Sequence, residues 1–176
     1  MDSLFSNLFL SLETLIAEKA PLIKGVYPEL SQTENYNGAP SQWPCLFIDF
    51  TNLAYAELTG YAQAVSGELQ CRLATQITVA DGVTFLDTPT ALGCYEAELQ
   101  LHRALQGWTN GAIAPLTRMK TITEDRGDAF RIRALTTVDK HDAFRVRVLT
   151  YSLNFNEYPV PAVTSEIPTP PLDILP

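Results

Sequence analysis

Histidine and cysteine are scarce in this chain, and their scarcity removes most of the chemistry a domain of its size can carry. Among 176 residues there are two histidines, His102 and His141, and three cysteines, Cys45, Cys71 and Cys94. The cysteines stand 26 and 23 residues apart with no C-x-x-C pair, and neither histidine falls at a zinc-ligand spacing from one. They read as buried, reduced thiols suited to a reducing cytosol. A G-x-S-x-G elbow, a Walker loop, an H-E-x-x-H pair and a dinucleotide fingerprint are all missing. The sequence therefore points to no enzyme, no metal and no cofactor. No apolar run approaches the ~18 residues of a membrane span. The opening Met1-Asp2-Ser3 has no basic n-region, so Leu4 to Leu10 does not read as a signal peptide, and a soluble protein is expected. Basic residues are few as well: twelve Lys+Arg against twenty Asp+Glu, a net charge of -8. That balance argues against a generic nucleic-acid coat, which needs a cationic surface.

What is present suffices for one core. Apolar residues make up 46% and charged residues 18%, which excludes a wholly disordered chain. Residues 3 to 20 predict an amphipathic helix: Leu4, Phe5, Leu8, Phe9, Leu12, Leu15 and Ile16 form one stripe, Asp2 or Ser3 caps it, and Pro21 stops it. Pro21 to Pro44 reads as a long connection. Cys45 to Phe50 reads as a short buried strand, and residues 63 to 79 as a second strand region with a bulge or break near Thr75, where the alternation changes phase. A second helix is predicted over 89 to 106, opened by Thr88 and Pro89 and ended by Gly107, with Leu92, Tyr95, Leu99 and His102 along one edge and Leu101 and Leu105 alongside. Leu116 to Glu124, Ala129 to Thr137 and Ala143 to Phe155 then predict a three-stranded antiparallel meander.

Two of those strands echo each other: Asp128-Ala-Phe-Arg-Ile-Arg-Ala-Leu-Thr-Thr is followed 14 residues later by Asp142-Ala-Phe-Arg-Val-Arg-Val-Leu-Thr-Tyr. One pair at that period is too short for a solenoid; neighbouring strands with the same facing requirement explain it. The expectation is that Phe130, Ile132, Ala134, Phe144, Val146 and Val148 face the core, with Arg131, Arg133, Arg145 and Arg147 sharing the opposite face. Asp125, Asp128, Asp139 and Asp142 read as turn residues rather than a metal site, and Arg126-Gly127-Asp128 as a chance tripeptide. Tyr158 to Pro176 holds six of the twelve prolines and no Lys or Arg, so it predicts an extended polyproline-like arm.

Charge is divided unevenly along the chain. Residues 1 to 99 sum to -9, residues 100 to 151 to +4, and the remainder to -3. One reading makes the arginines a solvated sheet face. A sharper one makes them an assembly surface, because a basic row and acidic surface on one protomer suit a head-to-tail contact between copies. The interface candidates on that reading are Arg131, Arg133, Arg145 and Arg147, with Pro159, Pro161, Pro168, Pro170 and Pro171 of the arm clasping a neighbour.

The order of elements, with the second helix ending "LHRALQGW" and the last strand ending "VRVLTYSLNF", resembles the tail-terminator and tail-completion (neck) proteins of tailed bacteriophages, the lambda-type minor tail protein among them. The matching stretches are Leu101-His102-Arg103-Ala104-Leu105, Leu116 to Glu124 and Arg145 to Tyr151, within residues 1 to 157. The resemblance implies an α+β domain over 1–157, with an antiparallel or mixed sheet of about four to six strands flanked by two helices. It also implies a hexameric ring in the virion, made in the host bacterial cytoplasm, that ends the tail tube and joins it to the head–tail connector. The partners implied are other copies, the tube protein, connector or neck proteins and a sheath contact, with DNA passing through the lumen without specific binding and no membrane involved. The proline-rich arm over 158–176 goes beyond a minimal terminator. A head-completion or connector protein of the neck, or a monomeric cytosolic adaptor recruiting a partner through that arm, are the competing expectations.

Overall fold

The computed structural model describes residues 4–30, 42–58, 62–78, 88–124 and 142–158. They form one five-stranded mixed sheet, in the order β1-β2-β3-β5-β4, with two helices on one face. The α+β architecture expected from the sequence is the one observed.

Helix α1 (Leu4–Lys19) buries Leu8, Leu12 and Ile16 completely, while Leu4, Phe5, Phe9 and Leu15 flank that seam. The i, i+4, i+8 spacing places the three on one line of the helix, as predicted. Its expected caps, Asp2 and Ser3, lie outside the described residues. The chain then adds an element that the turn-rich composition of 21–44 concealed: strand β1 (Gly25–Pro28), parallel to β2 with Val26 opposite Leu46. Four residues ending in proline are admissible there because β1 is an edge, where the missing N–H costs no ladder bond.

Strand β2 (Cys45–Glu57) is more than twice the length of the predicted run. The register slips between Thr51 and Ala54, and Asn52 sits at φ 53°, so a bulge interrupts the alternation that would have revealed the second half. Gly67 stands across from it: an added Cβ there would meet Leu53 Cδ2 at 2.6 Å and the Thr51 carbonyl oxygen at 3.1 Å. The bulge expected near Thr75 is absent. Strand β3 (Gln63–Thr78) pairs with β5 (Asp142–Glu157) in unbroken antiparallel register, from Gln63 opposite Glu157 to Thr78 opposite Asp142.

Helix α2 (Thr88–Leu105) is ended by Gly107 at φ 77°, the left-handed position for which glycine was chosen as the stop. Strand β4 (Thr117–Thr123) pairs antiparallel with β5. That pairing corrects the meander: β5 has β3 on one edge and β4 on the other, so no further strand lies between β4 and β5. The run at 129–137, including Phe130, Ile132 and Ala134, lies outside the described residues.

The main core lies between the sheet and the helices. It joins Leu46 and Ile48 of β2, Leu69, Cys71 and Leu73 of β3, and Leu149, Tyr151 and Leu153 of β5 to α1 and α2. A smaller cluster on the opposite face holds Cys45, Phe47, Ala74, Val146 and Val148, with Tyr27 and Trp43 packed against it. Val146 and Val148 are thus buried as expected, but away from the main core. The arginines that alternate with them stand on the helix side, which reverses the predicted assignment of faces.

Candidate assembly surface

Alternation along β5 carries Arg145 and Arg147 to the same side as Leu149, Tyr151 and Leu153, beneath α2. Arg147 Nε donates to Glu98 Oε2 at 3.0 Å and Nη2 to Glu98 Oε1 at 3.1 Å, a bidentate pair in which both side chains are mostly buried. Its Nη1 donates to Thr123 Oγ1 at 2.7 Å, and Thr123 is its cross-strand neighbour on β4. One guanidinium therefore ties helix, central strand and edge strand together. Arg145 lies over the Tyr95 ring, with Cζ 5.1 Å from the centroid, a cation–π contact of about 0.5–1 kcal/mol where exposed. Both arginines thus have partners within the chain, which replaces the picture of a solvated row. Arg131, Arg133, Pro159, Pro161, Pro168, Pro170 and Pro171 lie outside the described residues.

Along α2 the buried seam is Cys94, Ala97, Leu101 and Leu105, whereas Leu92, Tyr95 and Leu99 are exposed. The seam facing the sheet thus mixes small and large residues, and apolar side chains of the same size as Leu101 and Leu105 are left outside. The sequence shows two apolar stripes on this helix, offset by about a third of a turn, and the one carrying Leu101 and Leu105 is the buried one. On β4, Arg118 stands opposite Tyr151 on the face that α2 covers, whereas Lys120 and Ile122, opposite Thr150 and Val148, belong to the other face; all three, and Met119 at the bulge, are exposed. Among the described residues β4 pairs only with β5 and forms one edge of the sheet, and on it the Arg118 N–H donates to Gln106 Oε1 at 3.1 Å. Exposed acidic side chains include Glu96 on α2 itself, Glu13 and Glu18 on α1, and Glu57 and Glu157 at the far ends of β2 and β5.

Beneath α2, His102 Nδ1 lies 3.4 Å from the hydroxyl of the fully buried Tyr151. Burial holds the imidazole below its ordinary pKa, the Arg118 cation adds to that, and Glu98 opposes it. Burial likewise pushes the Tyr151 phenol well above its usual range. On the opposite face Arg72 stands between two carboxylates, Glu29 at 3.5 Å and Glu124 at 3.4 Å. The Cys45 thiol is pushed up to about 12 by burial and Cys71 higher still, so both stay protonated at neutral pH and make poor nucleophiles. Among the described residues no group of three or more His, Cys, Asp or Glu side chains is placed to hold a metal ion, and no helix is long and apolar enough to cross a membrane. A hollow of about 500 Å³ is lined by Ala56, Ser66, Ile113, Asn154, Phe155 and neighbours, none of them titratable. Compared with known proteins, the chain matches no family model and no curated protein.

Proposed function

We propose that this chain is a structural protein of a phage virion that assembles as a ring, ends the tail tube and joins it to the head–tail connector. The observation that carries the reading is the surface along α2 and β4. Helix α2 exposes an apolar stripe of Leu92, Tyr95 and Leu99, and β4, an edge strand among the described residues, carries the exposed cations Arg118 and Lys120 on its two faces. Exposed acids on α1 and at the far ends of β2 and β5 supply the opposite charge. A basic, apolar edge on one side and acidic surface on another fit a heterologous contact, which closes into a ring where the rotation permits. Such a protein needs no cofactor. It stops a polymer by matching the tube's end with one face and refusing another tube subunit with the other.

On this reading the basic edge is an interface rather than a lumen wall, because arginines lining a lumen would hold DNA phosphates back. Negative-stain imaging and mass photometry at micromolar concentration are expected to show rings of uniform diameter. Charge reversal of the exposed pair, Arg118→Glu with Lys120→Glu, is expected to disperse the rings with little change in melting temperature. Monomer alone, both by itself and with tube protein added, would overturn the proposal.

A further inference from the structure

A groove of about 420 Å³ opens where the start of α1 meets the edge formed by β1 and β2, walled by Phe5, Phe9, Leu10, Leu30, Ile48 and Phe50. Leu10 is 56% exposed and Leu30 77%, so its rim is apolar and open to solvent. The Phe5 and Phe50 rings lie 5.1 Å apart and tilted by 40°, giving the floor an aromatic surface. Two acids border the groove, but both are engaged: Glu29 pairs with Arg72 at 3.5 Å, and Asp49 Oδ1 accepts the Phe50 N–H at 2.8 Å.

We infer that this groove receives the proline-rich C-terminal segment, residues 159–176, of a second copy of the chain. This rests on the assembly proposed above and names one of its contacts. The first argument is chemical. Aromatic-lined apolar grooves take proline-rich chains, which lose little entropy on docking and need no backbone ladder. Within the segment, Pro168, Pro171 and Ile174 fall three residues apart, and a polyproline II helix with three residues per turn puts them along one edge. The segment has no Lys or Arg and only Glu166 and Asp173 as charges, which sit off that edge.

Reach and direction supply the second argument. Both β2 and β5 run antiparallel to β3, so they run parallel to each other, and Phe155 lies level with Tyr55 through Val65. Ile48 and Phe50 lie level with Leu149 and Tyr151, so the groove is six to eight residues behind the end of β5 at Glu157, about 20–26 Å back at ~3.3 Å per residue. Strand β5 therefore runs away from the level of its own groove as it approaches Tyr158. Eighteen residues follow, and in polyproline II form they span about 55 Å at ~3.1 Å each, enough to cross to a neighbour.

The test uses the full chain with a photoreactive benzoylphenylalanine in place of Leu10, and in a second preparation in place of Leu30. Nitrogen-15-labelled and unlabelled chains are mixed, irradiated and digested with trypsin. Trypsin cuts after Arg147 and releases 148–176 as one peptide, because no Lys or Arg follows. Crosslinks from either position to 159–176 are expected to join labelled to unlabelled chains, and Pro168→Ala with Pro171→Ala is expected to cut their yield at least five-fold. Crosslinks confined to single chains would overturn exchange of the segment. An intact oligomer without crosslinks to 159–176 would overturn the groove assignment while leaving ring assembly standing. Monomer without such crosslinks would overturn both.

Discussion

Arg147 offers a sharp test of how the sheet and α2 are held together. Arg147→Met keeps an unbranched stem against the helix and deletes the guanidinium, with its two bonds to Glu98 and one to Thr123. Hydrogen bonds to charged groups contribute roughly 1.5–3 kcal/mol net. The Arg147 side chain is 24% exposed and that of Glu98 16%, so solvent screens part of this, and Glu98 left alone retains some hydration. A loss of about 2 kcal/mol follows, with about 1–1.5 kcal/mol of it appearing as coupling in a double-mutant cycle with Glu98→Gln. With a urea slope of about 2 kcal/mol per molar, the Arg147→Met midpoint moves down by about 1 M. Equilibrium urea unfolding followed by far-ultraviolet circular dichroism measures both quantities. A midpoint within about 0.25 M of the parent, or strictly additive single substitutions, would refute the claim that this ion pair clamps α2 to the sheet.

Two other outcomes follow from local geometry. Gly67→Ala places a methyl 2.6 Å from Leu53 Cδ2, so it is expected to cost about 1–3 kcal/mol in thermal or urea unfolding, with most of the loss recovered when Leu53→Ala is added; no loss would mean that the bulge readily moves aside. His102 has a folded pKa below its unfolded value, so its contribution to stability is complete above about pH 6.5 and is lost as pH falls through that value towards the folded pKa. The drop in melting temperature from roughly pH 7.5 to 5.5 is therefore expected to be larger for the parent than for His102→Gln, and equal drops would remove burial as the cause.

Helix α1 was legible because its spacing is local: Leu8, Leu12 and Ile16 mark a buried line whatever they meet. The end of α2 was legible at Gly107 for the same reason, since a left-handed residue is a local requirement. Strand β1 and the second half of β2 were not. A four-residue strand between turn formers has no periodicity to detect, and the bulge at Asn52 breaks the alternation that marks a strand. The direct pairing of β4 with β5 was also hidden, because consecutive strand-like runs suggest consecutive hairpins and nothing local in 142–157 reports what lies on each edge. For the candidate surface, the exposure of Arg118 and Lys120 on an edge strand depends on that same pairing.

The sequence by itself determined that Arg145 and Arg147 share a face and that Val146 and Val148 share the other, because a strand alternates at every residue. It also determined that the positive charge gathers in residues 100 to 151 of an otherwise acidic chain. Only the tertiary structure decided which of those faces the helices cover. Valine is buried on one side and arginine pinned on the other because the sheet is packed on both faces near that end of β5. There Glu98 and Tyr95 of α2 provide the charge and the ring that make the helix side suitable for arginine. Those partners lie about fifty residues away along the chain, and their effect exists only once the helix is laid across the strand.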